Sequence, residues 1–459
     1  LSRKQQKNTD GSTPIQTTKR TTPTMQAVKI GLAGFGTVGG GTYAVLKRNA
    51  AELARRAGAP IEVKSVVCRN IDRARGLVEE RVLLTKNWKD LVEDPEIDIV
   101  VEVMGGIEPA KSLVLEAIAA GKHVVTANKA LLALHGNEIF SAAAEKGVAV
   151  SYEAAVAGGI PIIKSLREGL AANRIEWIAG IINGTCNFIL STMRDKGLSF
   201  DEALSQAKDL GYAEADPTFD IEGIDAAHKI TLLSALAFGT PVNFEAAHVE
   251  GITKLSSVDI RYAENLGYRI KLLGVTRRTE TGIELRVHPA LVPMRRLLAN
   301  VEGVMNAVVV KGDAVGSTLF YGRGAGSEPT ASAVVADIVD IVRMTAAGDA
   351  QALKPAAYNE ETIALGWLPM SETVSSYYMR IPVADEPGVL AQVARVFSEK
   401  VISIEAVMQP EAAIGRKDTE IVVMTHSAVE GAVLDAIAAI EALPTTRGKV
   451  VMIRKEELN

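Results

Sequence analysis

The sequence predicts an α/β protein in three units: a doubly wound parallel sheet, an α+β unit and a C-terminal unit of ferredoxin-like order. The first expectation rests on strands alternating with helices of about 10–15 residues from residue 28 to about 152, a pattern that implies right-handed crossovers and a parallel sheet. The second rests on the loss of that alternation after 152. The third rests on a strand–helix–strand–strand–helix–strand run from 377 onward.

Each element follows from local pattern. Val28-Lys29-Ile30-Gly31-Leu32-Ala33 is a short apolar run suited to a buried strand, and Gly34-Phe35-Gly36-Thr37-Val38-Gly39 leads it into a helical stretch reaching about 57. Strands are expected over 61–67, 97–103, 123–126 and 148–152, and helices over 88–93, 109–120 and 131–146. In the middle, 175–182 and 283–288 read as strands, 201–210 and 224–238 as helices. Residues 327–347, with Pro329 near the start, carry Val334, Val335, Ile338, Val339 and Val342 on one face. That helix is expected to return to the first unit and complete it with about 320–350. At the end, strands over 377–383, 401–409, 419–425 and 449–454 enclose helices over 388–400 and 429–443, with a polar, mobile loop over 411–418. The expected domains are 27–152, 153–319 and 377–459.

Residues 1–26 read as a disordered tail. Arg3, Lys4, Lys7, Lys19 and Arg20 stand there against Asp10, with almost nothing apolar, so the core of a secretory signal is missing. A start assigned too early is the companion reading, with Met25 the natural beginning.

Composition excludes several classes. The chain has 459 residues, is 47% hydrophobic and carries a net charge of −5, a balance that argues against gripping nucleic acid. Aromatics at 5% leave few platforms for stacking bases. No run of about 18 apolar residues occurs, so no membrane span is expected. Two cysteines, Cys68 and Cys186, form neither a disulfide framework nor a zinc site unaided. A soluble, cytoplasmic α/β protein fits this composition.

A glycine hexamer by itself is a weak signal. Here it follows a strand, opens a helix and lies in a βαβ unit, which is the context of a Rossmann-type dinucleotide-binding domain. Gly34 permits the tight turn, Gly36 lets a diphosphate approach the backbone, and Gly39 allows close helix–strand packing. The helix start then offers N–H groups to the phosphates. An NAD site would place a carboxylate at the end of the second strand. This chain has Val67-Cys68-Arg69-Asn70, and the Arg69 guanidinium suits a 2′-phosphate, so NADP is expected, with NAD possible.

Chemistry concentrates in two segments. Thr126-Ala127-Asn128-Lys129 ends a parallel strand, where ligands gather, so Lys129 is expected near the nicotinamide. Gly211-Tyr212-Ala213-Glu214-Ala215-Asp216-Pro217-Thr218-Phe219-Asp220 leads into a helix bearing Asp225 and Lys229, four apart on one face. Such a pair is commonly a solvated ion pair. This helix, however, is apolar on nearly every other side, so a functional role stands beside the plain one.

These motifs, with Glu153-Ala-Ala-Val156-Ala-Gly158-Gly-Ile160-Pro161 and Asn183-Gly184-Thr185, resemble homoserine dehydrogenase over about 28–459. The resemblance implies reversible NAD(P)H-dependent reduction of L-aspartate 4-semialdehyde to L-homoserine, within threonine, methionine and isoleucine biosynthesis. It implies Lys229 as proton donor to the carbonyl oxygen, Asp225 as its holder, and Lys129 at both cofactor and substrate. Glu214 and Asp220 are implied at the amino and hydroxyl ends of the substrate, with Thr185 and Tyr212 lining the pocket. It further implies a monovalent cation, sodium, on Glu153 and the backbone carbonyls of Val156, Gly158 and Ile160. The Gly322-Arg-Gly324-Ala-Gly326 run matches a family loop that approaches the cofactor. The middle unit is implied to serve in dimerisation, giving a dimer or tetramer.

The C-terminal unit, with Val383-Ala-Asp385-Glu-Pro387-Gly388-Val389-Leu390 at its first strand–helix turn, resembles an ACT domain, and threonine is the effector that resemblance implies. Deleting residues after about 370 is expected to leave catalysis and remove threonine inhibition. The alternatives are a dehydrogenase of another amino-aldehyde and a non-catalytic nucleotide and amino-acid sensor. A sensor has no need of Glu214, Asp220, Asp225, Lys229 and Lys129 together. The six histidines show no ligand spacing, and Trp88, Trp177 and Trp367 are expected in the core.

Overall fold

The computed structural model describes residues 26–347, 365–410 and 417–458; the expected tail (but for Gln26) and most of the 411–418 loop lie outside them. The first unit comprises β1 (Val28–Ala33), α1 (Thr37–Arg48), α2 (Ala50–Ala57), β2 (Ile61–Val67), α3 (Ile71–Arg75), β3 (Leu83–Thr85), α4 (Lys89–Glu93), β4 (Ile99–Glu102), α5 (Ala110–Ala119), β5 (His123–Thr126), α6 (Lys129–Lys146) and β6 (Val150–Ser151). Its six strands lie in the order β3-β2-β1-β4-β5-β6, all parallel. The order reverses between β1 and β4, so a ligand crevice opens above the carboxyl ends of those strands. β3 escaped the sequence reading because three residues show no period.

The middle comprises α7 (Ile162–Lys164), β7 (Ile175–Ile181), α8 (Gly184–Lys196), α9 (Phe200–Asp209), α10 (Thr218–Ile221), α11 (Ile224–Phe238), β8 (His248–Val249), α12 (Ser257–Asn265), β9 (Tyr268–Arg278), β10 (Ile283–Pro293), β11 (Met305–Gly312), β12 (Gly316–Arg323) and α13 (Ser327–Ala347). α11 runs through the core, with every residue from Asp225 to Phe238 buried. α13 does return to the first unit: it packs on α1, and its Val334, Val335, Ile338, Val339 and Val342 share a core with Ile30 and Leu32 of β1.

The C-terminal unit comprises β13 (Val374–Ala384), α14 (Val389–Glu399), β14 (Ile404–Met408), β15 (Asp418–Thr425), β16 (Ala428–Val429), α15 (Glu430–Glu441) and β17 (Val451–Lys455). Its main strands run β17-β13-β15-β14, all antiparallel, which is the ferredoxin-like arrangement. The unit is not a separate body. β17 pairs in parallel with β10, Ala290 opposite Arg454 and Leu291 opposite Lys455, so both units share one eleven-stranded sheet. Tyr378, Met424 and Ile453 enter the same core cluster as α11. Arg454 and Glu456 of the last segment are ion-paired with Glu250 and Arg286 of the middle unit. The last strand of the C-terminal unit therefore extends the middle unit's sheet. Trp177 lies in the core as expected, whereas Trp88 and Trp367 are only half-buried. Among the described residues, no helix is long and apolar enough to cross a membrane.

Candidate active site

The crevice begins with the glycine turn. Gly34 has φ +104°, open to glycine at little cost, and a Cβ on Gly39 would lie 2.0 Å from the Gly34 carbonyl oxygen, so the helix start is pressed against the strand end. A Cβ on Gly36 would meet nothing within 4 Å. That free space and an α1 start with neither a side-chain cap nor an acidic first turn fit a diphosphate. Phe35 packs edge-on against Tyr43, Val38 is half-buried, and the Thr37 carbonyl accepts the Ser327 hydroxyl at 2.8 Å. Arg69 stands exposed past β2, with no hydrogen bond or ion pair among the described residues. Capping of α3 falls to Asn70, whose side chain accepts from the Arg73 N–H at 2.9 Å.

Two loops close the rim. Gly326 (φ +127°) precedes α13, and Gly324 lies so close to Gly158 that a Cβ on Gly158 would be 2.3 Å from the Gly324 oxygen. The Gly159 N–H donates to the Arg323 carbonyl at 3.0 Å, so the loop bearing Val156, Gly158 and Ile160 is laced to the loop ending at Gly326. Glu153 is 3% exposed; its carboxylate oxygens accept the N–H groups of Ile163 (2.9 Å) and Lys164 (2.8 Å) at the start of α7. Burial pushes the Glu153 carboxyl up, against those N–H groups. Among the described residues no three His, Cys, Asp or Glu side chains gather to hold a metal, so any ion here would depend on backbone carbonyls.

A cluster of charged side chains sits where α11 packs on α6. Asp225 is its hub. One carboxylate oxygen takes Lys229 Nζ at 2.6 Å, and the other lies 3.4 Å from Lys129 Nζ. Lys229 also donates to the Ile182 carbonyl at 2.8 Å. Burial alone would raise the Asp225 carboxyl, yet the ammonium groups of Lys229 and Lys129 hold it below the usual range. Asp220 is moved the other way, by burial and by the charge of Asp225. Two carboxyls with opposed shifts in one pocket are a mark of a functional site.

Asn183 joins them. Its side-chain amide donates to Asp220 at 2.7 Å and to Asp225 at 2.9 Å, while its oxygen caps α8 on the Cys186 N–H. The sequence placed Asn183 in a motif and gave it no role; an N-cap before Gly-Thr was the available signal. Thr185 donates to the Tyr212 carbonyl at 2.7 Å, and the Tyr212 ring, 43% exposed, meets Phe188 edge-on. Glu214 is exposed on the same loop and makes no hydrogen bond among the described residues.

Glu102 was missed altogether. It ends β4, is fully buried, and accepts the Met104 and Gly105 N–H groups (2.8 and 3.3 Å) and the Thr126 hydroxyl (2.6 Å). Asn128 adds a bond from its amide to the Gly106 carbonyl at 2.6 Å and caps α6 on Leu131. Together they tie both crevice loops and so fix Lys129, the first residue of α6. A lone carboxylate in the apolar run ending β4 was the readable hint.

A backbone cradle for a diphosphate, and ammonium groups held against a buried carboxylate beside it, are the working parts of a dinucleotide-dependent oxidoreductase. The chain is of that class. Residues 34–153 match the family described as homoserine dehydrogenase, NAD binding domain, and residues 161–339 match that described as homoserine dehydrogenase. A homoserine dehydrogenase of Pseudomonas aeruginosa is 58% identical over 442 residues, 95% of this chain and 100% of the relative. The crystal structure of one from Thiobacillus denitrificans superposes with a TM-score of 0.91 at 59% identity, covering 95% of this chain and 99% of that one. A hyperthermophilic archaeal homoserine dehydrogenase in complex with NADPH gives 0.60 at 28% identity, over 69% and 97%. This chain belongs to the homoserine dehydrogenase family and is an oxidoreductase.

Proposed function

We propose that the chain interconverts L-aspartate 4-semialdehyde and L-homoserine with Lys229 as the proton donor, and the observation that carries this is Asp225 bridging Lys229 and Lys129 inside the crevice. Bound NADPH supplies a hydride to the aldehyde carbon. Negative charge then builds on the carbonyl oxygen, where an ammonium within hydrogen-bond reach stabilises it and gives up a proton. Lys229 has three donors; Asp225 and Ile182 take two, leaving one for that oxygen. Asp225 keeps the ammonium in place, and Lys129 shares the acid–base role from the more exposed side. Glu214 and Asp220 take the amino and hydroxyl ends of the substrate, and Thr185 and Tyr212 line the pocket.

NADP is the preferred cofactor in this reading. Support comes from the free guanidinium of Arg69 beyond β2 and from the archaeal relative with NADPH. Sodium on Glu153 and the carbonyls of Val156, Gly158 and Ile160 belongs to the same reading, and its support is the buried Glu153 carboxylate, the charged hard-oxygen donor of that set. The C-terminal unit is read as an ACT domain that senses threonine. Its ferredoxin-like order supports this, as does Gly388 (φ +91°), open above the start of α14. The enzyme is read as a cytoplasmic homo-oligomer. The test is homoserine oxidation followed by NADPH absorbance, with NADP against NAD and with or without threonine. Faster turnover with NADP and inhibition by threonine are expected. Equal kcat/KM with NAD, or no threonine response, defeats the corresponding part, and a better amino-aldehyde defeats the substrate.

A further inference from the structure

Arg454 of β17 is 1% exposed and is held by carboxylates from two units. Its Nε donates to Glu430 of its own unit at 2.7 Å. Its Nη1 and Nη2 grip Glu250 of the middle unit as a fork, at 2.9 and 2.8 Å. Glu250 directly follows β8, whose Val249 pairs with Val287 of β10, and its own N–H donates to the Val287 carbonyl at 2.7 Å.

The residues after Glu250 support the substrate loop. Gly251 lies so tightly beneath it that a Cβ would stand 2.3 Å from the Ile221 oxygen and 2.5 Å from the Glu222 Cα. The Ile252 N–H donates to the Ile221 carbonyl at 2.8 Å, and the Thr253 hydroxyl to Glu222 at 3.2 Å. Ile221 adjoins Asp220. One ion pair and one short stretch of backbone thus separate the C-terminal unit from a carboxylate of the pocket.

We infer that Arg454 is a positioning residue for substrate binding: through its fork on Glu250 it sets segment 221–223, and with it the Asp220 carboxylate. The inference rests on the reading of Asp220 as a substrate group. A second contact between the units gives the contrast. Arg380 of β13 binds Asp259 of α12 at 2.7 and 3.1 Å and Glu420 at 2.7 Å, and α12 packs on β9 and α8 rather than under the substrate loop. Arg380 therefore reaches Asp220 only through α12 and the body of α8, whose cap Asn183 binds that carboxylate, a longer route than the one through Glu250.

The experiment uses the full-length enzyme and five variants: Arg454→Met, Arg454→Lys, Glu250→Gln, Arg380→Met and Asp220→Asn. KM for homoserine, KM for NADP, kcat and the thermal midpoint are measured for each. Arg454→Met and Glu250→Gln are expected to raise the homoserine KM about 5-fold or more, with the NADP KM unchanged. Arg454→Lys, which keeps the charge and loses the fork, is expected to follow them and carries the test if the methionine variant does not fold. Arg380→Met is expected to lower the thermal midpoint while leaving the homoserine KM alone. An unchanged homoserine KM in the Arg454 and Glu250 variants, with Asp220→Asn raising it, overturns the inference alone. An unchanged KM in Asp220→Asn overturns the substrate reading beneath it.

Discussion

Glu456 closes the joint between β17 and β10, and neutralising it as Glu456→Gln isolates the charge of that joint. The side chain is 2% exposed, with Arg286 at 2.6 Å, Arg277 at 3.6 Å and His288 at 3.7 Å. Burial pushes its carboxyl up, but Arg286, His288 and Arg277 outweigh that and bring the pKa down to about 2 from 4.5. A carboxylate depressed on folding stabilises the native state above its unfolded pKa, and the gain is lost as pH falls through the folded value. At about 1.4 kcal/mol per unit, the shift is worth about 3 kcal/mol near neutral pH. Breaking a buried pair from one side costs about 3–5 kcal/mol, which agrees, and among the described residues Arg286 would keep Glu284 alone as its carboxylate. Against a typical total of about 5–15 kcal/mol the loss is large. Urea unfolding of both proteins from about pH 7 down to about pH 3 is the assay, and the gap between them should shrink by more than half across that range. A gap below about 1 kcal/mol near neutral pH, the scale of a surface pair, or a gap independent of pH, refutes the reasoning.

Three further outcomes are expected. Lys229→Ala should lower kcat by at least about 10²-fold while NADPH binding, followed by fluorescence, persists; near-normal kcat overturns Lys229 as the proton donor. Arg69→Ala should erode the preference for NADP over NAD with stability changed by less than about 0.5 kcal/mol, because its side chain holds nothing else among the described residues; an unaltered preference removes Arg69 from the cofactor site. Gly36→Ala should fold like the parent and bind NADPH more weakly, whereas Gly39→Ala should lose thermal stability because its Cβ has no room. Parent-like NADPH affinity in the Gly36 variant would sink the cradle.

Much of the fold was legible where pattern is local. Strands at 61–67 and 123–126 and helices at 224–238 and 327–347 have the bounds the sequence predicts. Elements were lost where periodicity fails. β10 is buried along all eleven residues, so no alternation marks it beyond 288, and β11 with β12 went unread altogether. α8 begins on Asn-Gly-Thr and mixes polar with apolar residues, which hid its stripe.

By itself the sequence determined the glycine turn, the place of Arg69 after β2, and the pairing of Asp225 with Lys229, since residues four apart on a helix must share a face. Tertiary structure alone decided that Lys129 completes that pair and that Asn183, 42 residues before Asp225, binds both carboxylates. It likewise decided that Arg454 reaches Glu250 across 204 positions and that the C-terminal sheet continues the middle one. The reason is range. Helical geometry and strand–turn–helix order act between near neighbours in the chain, whereas a buried charge finds its partner only after distant segments have packed and excluded water.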